Sequence, residues 1–130
     1  MTTGYNAALR NAQMDAITTF AGAGAKLRLY SGARPATGGA VTTLLSEHTL
    51  GTPFAPAAAA GVLSPTLPAN VNASATGTAA WFRVVKADGT THVMDGDCGT
   101  AGTDMVLNST ALTLGVAVAV TGWTITRGNA

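Results

Sequence analysis

Apolar positions near the start of the chain recur at helical spacing. Leu9, Ala12, Ala16, Ile17 and Phe20 fall on one face of a helical repeat, with Arg10, Asp15 and Thr18 elsewhere. Asn6 offers an N-cap oxygen, and Gly22 and Gly24 supply a stop, so the pattern predicts a helix over about residues 6–21. Such a helix covers a face or edge of a sheet; the alternative is an arm that docks on a partner subunit.

From Lys26 the period changes to two. Lys26-Leu27-Arg28-Leu29-Tyr30 alternates charged and apolar side chains, as a strand with one wet face does. Ser31-Gly32-Ala33-Arg34-Pro35 turns the chain, and Val41 to Leu50 reads as a second strand. Thr52 to Pro68 contains Pro53, Pro56, Pro65 and Pro68. Prolines that dense remove too many N–H donors for a central strand and predict an extended segment along an edge, with Gly61-Val62-Leu63 a short strand inside it.

Thr78 to Lys86 is the clearest central strand. Asp88-Gly89 suits the positive φ of a tight turn, so Ala79–Lys86 should pair antiparallel with Thr91–Asp95. Asp95 to Asp104 reads as a Gly-rich loop, and Met105-Val106-Leu107 opens the next strand. In the last strand Val116, Val118 and Val120 share one phase and Trp123 and Ile125 the other, a flip at Thr121-Gly122 that a β-bulge produces. Together these segments predict one mainly β domain over residues 1–130. Its expected fold is an antiparallel β-sandwich, or a jelly-roll-like one, over about 26–127, with one N-terminal helix.

Composition removes several function classes. Of 130 residues, 26 are Ala, 21 Thr and 16 Gly, and only 10% are charged, against roughly 25% in ordinary soluble domains. A net charge of +1, with Arg28, Arg34 and Arg83 outside any basic run, gives no footprint for nucleic acid or an anionic membrane. An apolar share of 47% argues against disorder. The lone Cys98 cannot form an internal disulfide. Met1 to Arg10 carries no leader pattern, and Ala111 to Trp123 is too short and too interrupted to span a bilayer, so synthesis in a cytoplasm is expected.

Candidate chemistry is sparse. His48 and His92 are the imidazoles; Asp15, Glu47, Asp88, Asp95, Asp97 and Asp104 are the carboxylates. A Cys98/His92 nucleophilic pair is conceivable, but no nucleophile motif surrounds it, and the expectation is no catalytic residue and no cofactor. Asp95, Asp97 and Asp104 are the metal candidates, since oxygen ligands from one loop suit calcium; the competing reading is a polar turn, because Asp and Gly are also the default residues there. Ala21-Gly22-Ala23-Gly24-Ala25-Lys26 fails the spacing of a phosphate loop. Asn72-Ala73-Ser74 and Asn108-Ser109-Thr110 match the glycosylation sequon, without a leader to make it meaningful. Trp81, Trp123, Tyr5 and Tyr30 are the aromatic stock for glycan stacking, yet both Trp residues sit among apolar neighbours and are expected in the core.

One ordered pattern remains. A leading helix is followed by Lys26-Leu27-Arg28-Leu29-Tyr30-Ser31-Gly32-Ala33-Arg34-Pro35-Ala36, a Leu-rich strand and Gly61-Val62-Leu63. Then come Gly77-Thr78-Ala79-Ala80-Trp81-Phe82-Arg83-Val84 and the end Trp123-Thr124-Ile125-Thr126-Arg127-Gly128-Asn129. This order resembles small virion proteins encoded among the head genes of tailed bacteriophages and prophages. The resemblance implies a capsid decoration or cement protein, made in the bacterial host cytoplasm and held on the capsid surface. Its implied partners are the major capsid protein and further copies of itself. A neck or tail component of the connector or terminator type, and a carbohydrate-binding β-sandwich, are the alternatives. On the decoration reading, Thr52–Pro68 and Arg127–Ala130 are expected to reach across to neighbouring subunits, their extended backbone adding contacts at low ordering cost.

Overall fold

The computed structural model describes residues 4–126, so the Arg127–Ala130 end lies outside the described residues. The leading helix, α1, runs Ala7–Ala21. Asn6 caps it, its side-chain oxygen accepting the Ala8 N–H at 2.8 Å. Gly22 closes it at φ +71°, a left-handed conformation glycine adopts without a Cβ penalty, and its N–H donates to the Thr18 carbonyl at 3.2 Å. The buried face is not the expected one. Met14 and Ala21 face the core with Ile17 beside them, whereas Leu9 is 47% and Phe20 49% exposed. Two polar side chains fix this rotation. Asp15 Oδ1 accepts the Ala58 N–H at 2.7 Å and Asn11 Oδ1 accepts the Gly61 N–H at 2.8 Å, so these side chains must face the Pro-rich segment.

The strands are β1 (Lys26–Ser31), β2 (Leu44–Thr49), β3 (Val62–Leu63), β4 (Val71–Asn72), β5 (Gly77–Val85) and β6 (His92–Gly99). After them come β7 (Met105–Leu107), β8 (Ala111–Leu112), β9 (Ala117–Val118), β10 (Val120–Trp123) and β11 (Ile125–Thr126). The main sheet is ordered β10-β7-β6-β5-β1-β2, with β8 paired to the start of β5; β11-β3 and β4-β9 are small separate sheets. Strand occupies 38% of the described residues against 12% helix, and the sheets curl into a half-barrel, so the fold is mainly β and sandwich-like with one N-terminal helix.

The Asp88-Gly89 hairpin joins β5 to β6 as the sequence predicts. Asp88 accepts the backbone N–H groups of Thr90 and Thr91, both at 2.8 Å, and these bonds order the turn. The second strand, however, continues through Asp95 to Gly99, where a loop was expected. Asp95 is taken up by a cross-strand partner, and Gly96 leaves space that the Phe82 ring fills: a Cβ there would lie 2.5 Å from Phe82 Cζ. The sheet also departs from pure antiparallel pairing. Cys98↔Met105 and Gly99↔Val106 pair in parallel, with residues 100–104 looping between them.

The expected bulge is present, since register shifts between Val120 and Gly122 against β7. The same strand nevertheless divides before it, β9 pairing with β4 and β10 with β7. That division leaves Val116 exposed while Val118 and Val120 are buried, against the single face their spacing suggested.

One face of the curled sheet carries Leu27, Leu29, Phe82 and Val84 into the core. Each such side chain contributes about 1.5–3 kcal/mol when taken from water. The Pro-rich segment closes this side. Phe54 is buried with its ring edge-on to Trp123 (5.5 Å, 87°), Leu63 is buried in β3, and the Thr66 N–H donates to the Phe54 carbonyl at 3.1 Å. Thr52–Pro68 is therefore part of this subunit's own core and not an arm extended to a neighbour. Among the described residues no helix is long and apolar enough to cross a membrane.

Candidate functional site

The other face of the sheet holds the densest polar chemistry. Antiparallel register sets Glu47 of β2 beside Arg28 of β1, Arg28 beside Arg83 of β5, and Arg83 beside Asp95 of β6. Directly paired residues share a face, so the four form one row across four strands. Glu47 accepts from Arg28 Nε at 2.7 Å and lies 3.7 Å from Lys26 Nζ; Arg28 also donates to the Gly89 carbonyl at 3.0 Å. At the other end Asp95 receives Arg83 Nε at 2.7 Å and Nη2 at 2.9 Å, a bidentate pair whose carboxylate is 1% exposed.

Residues 32–43 pass over this row as a strap. The Gly38 N–H donates to Asp95 Oδ2 at 3.0 Å, Trp81 Nε1 donates to Thr42 Oγ1 at 3.0 Å, and Arg34 stands 3.5 Å from Asp97. Thr42 Oγ1 in turn donates to the Ser31 carbonyl, and the Ser31 N–H donates to the Thr43 carbonyl at 3.0 Å. Beneath the strap Tyr30 stacks on Trp81 (4.4 Å, 16°), and Arg83 Cζ lies 5.2 Å from the Trp81 ring. Trp81 and Tyr30 are consequently buried on the face that strand alternation had left to water.

Charge states follow from these contacts. Burial opposes ionisation of Asp95, but hydrogen bonds from Arg83 and Gly38 outweigh it, and its carboxyl stays below the usual carboxylate range. The hydrogen bond from Arg28 lowers Glu47 likewise. His92 Nε2 lies 3.1 Å from Asp95 Oδ1 at an angle outside a well-formed hydrogen bond. Asp95, held by both nitrogens of the Arg83 fork and by the Gly38 N–H, ties the strap to the sheet, whereas Glu47 is held by Arg28 within the sheet.

The residues singled out by sequence do not converge. Asp95 and Asp97 point to the strap side of β6, whereas Asp104 lies on the opposite side: Asp104 Oδ2 would be 3.2 Å from a Cβ on Gly96, and it accepts the Asp97 N–H at 3.1 Å. The three carboxylates thus do not form a metal cage, and among the described residues no group of three His, Cys, Asp or Glu is placed to hold an ion. Cys98 and His92 are also separated, six positions apart along β6, with Cys98 in the apolar core. Burial, then the Asp97 charge, pushes its thiol up to about 12, which suppresses the thiolate. His48 is buried between Ser46 Oγ (3.3 Å from Nε2) and the Ala69 carbonyl (3.2 Å from Nδ1), and desolvation lowers its pKa, so it stays neutral. Trp123 is in the core as expected.

Sequence reading missed the row itself, although a signal existed. Arg28 and Arg83 each interrupt an apolar strand, and an arginine in that setting demands a carboxylate across the sheet. No family model, no curated protein and no solved structure matches the chain.

Proposed function

We propose that this chain is a non-enzymatic structural protein of a tailed-phage particle, a head decoration protein that binds major capsid subunits and stabilises their lattice. The observation that carries this reading is the direction in which the chemistry points. Asp95, Arg83, His48 and Cys98 are all turned inward and partnered or desolvated, while the outward surface away from α1 offers exposed apolar side chains such as Leu114 and Val116. A surface poor in charge loses little to desolvation when another protein covers it. The order of motifs along the chain supports the same reading. Burial of Trp81, Trp123 and Tyr30 leaves only the half-buried Tyr5 of the aromatic stock named for glycan stacking, which disfavours a glycan-binding sandwich.

Particle reconstruction with quantitative mass spectrometry tests it. Density for this chain at regular sites on the head lattice, in lattice stoichiometry, is the expected result. A single ring of copies at the neck or along the tail would replace the decoration reading, and absence from purified particles would end it.

A further inference from the structure

The side of α1 turned away from the sheet is mostly apolar, with Gln13 and Thr19 its polar positions. Leu9, Ala12, Ala16 and Phe20 are exposed there, and between Phe20 and β6 the surface dips into a groove lined by Ala16, Ile17, Phe20, Val93 and Met94. Lys86 Nζ sits 4.2 Å over the Phe20 ring beside it. The groove encloses about 270 Å³. Drug-sized ligands occupy roughly 300–1,000 Å³ and need convergent polar anchors; five apolar side chains provide none, and the hollow suits one branched aliphatic side chain.

We propose that its occupant is Leu9 of a second copy of this chain, brought there by antiparallel packing of α1 on α1 about a two-fold axis. Leu9 stands about 16 Å before Phe20 on the same helix face. In a pair centred between Ala12 and Ala16, Ala12 of one copy faces Ala16 of the other, and these small side chains let the backbones approach. Each Leu9 then reaches the Phe20 end of its partner. One surface supplies both the protruding side chain and the hollow, as a self-complementary two-fold contact requires.

Charge agrees with this direction. α1 has no acidic residue in its first turn and no basic residue in its last, so its partial positive and negative ends lack counter-charges from the helix itself. Antiparallel packing sets each end against the opposite end of the partner. The contact is small. A 15-residue helix is about 22 Å long and about 10 Å wide, which places the pair well below the roughly 1,200–2,000 Å² of a stable specific interface. The dimer is accordingly weak in solution and is strengthened where other contacts hold copies close together. None of this depends on the proposed role in a phage particle.

Cysteine cross-linking of the full chain tests the geometry. The double variant A12C/A16C, oxidised at rising protein concentration, should form a disulfide-linked dimer, whereas A12C alone should not, because its counterpart across the axis is residue 16. Adding Leu9→Ser to the double variant should lower the cross-linked yield about tenfold or more. Leu9, Ala12 and Ala16 are exposed in the single subunit, so thermal melts of these variants should match the parent and separate lost contact from lost folding. A double variant that remains monomeric at millimolar concentration overturns the proposal. So does cross-linking by A12C alone that equals the double variant, or a yield that Leu9→Ser leaves unchanged.

Discussion

Asp95 receives both nitrogens of the Arg83 fork across the β5–β6 pair and, on the same carboxylate, the Gly38 N–H of the strap. A single side chain thereby couples pairing inside the sheet to closure of the segment that covers it. Removing one member of so buried a pair strands the other charge, which typically costs about 3–5 kcal/mol. Asp95→Ala should therefore lower the unfolding free energy by that order in urea titration. Combining it with Arg83→Met should recover much of the loss, since no unpaired guanidinium remains. Equal destabilisation by the single and double variants would show that Asp95 acts on the strap alone.

Gly96 faces the Phe82 ring with no room for a methyl group, the ideal Cβ lying 2.5 Å from Cζ and 2.6 Å from Cε1. Gly96→Ala should cost about 1–3 kcal/mol through overpacking. Pairing it with Phe82→Leu should relieve part of that cost, and calorimetric melts of the two variants would reveal the coupling. Additive losses would mean that the ring is not the obstacle.

His48 carries the clearest pH dependence. Its pKa in the folded chain is lowered from 6.5 by burial, so the unfolded chain binds a proton first as pH falls. The contribution is complete above about pH 6.5 and is lost on acidification, at no more than about 1.4 kcal/mol per pH unit. Unfolding free energies at pH 7.5 and 5.5 should show the decline, and His48→Gln should flatten it over that interval. Asp95 and Glu47, whose pKa values are lowered, lose their contributions only at more acidic pH, as it falls from the ordinary carboxylate values through the folded ones. A stability that rises on acidification from pH 7.5 would contradict the buried neutral imidazole.

Phe54 tests the reassignment of the Pro-rich segment. Its ring is buried against Trp123, so Phe54→Ala should cost about 3–5 kcal/mol. Deleting Thr52–Pro68 should abolish cooperative unfolding and near-ultraviolet circular dichroism. A folded deletion variant would restore the view of the segment as an external arm.

Local patterns determined much of this protein from the sequence alone. The α1 caps at Asn6 and Gly22, the Asp88-Gly89 hairpin and the phase flip near Thr121 are set by residues within a few positions of one another, so their conformations are written in the chain directly. Mainly β class followed from the same signals. The remaining decisions were made by contacts between distant residues. Leu9 and Phe20 form as good a helical stripe as Met14, Ile17 and Ala21, and the choice between them fell to Asp15 and Asn11 bonding the backbone of residues 58 and 61. Asp95, Asp97 and Asp104 look like a cluster along the chain, yet strand alternation and the Gly96–Phe82 contact send them to different sides. Strand periodicity left the Arg28–Tyr30 face to solvent, and only the return of residues 32–43 across it, held by Asp95 and Trp81, buried the aromatic pair. Hydrogen bonds over such separations depend on where the whole chain has folded, which no window of neighbouring residues contains.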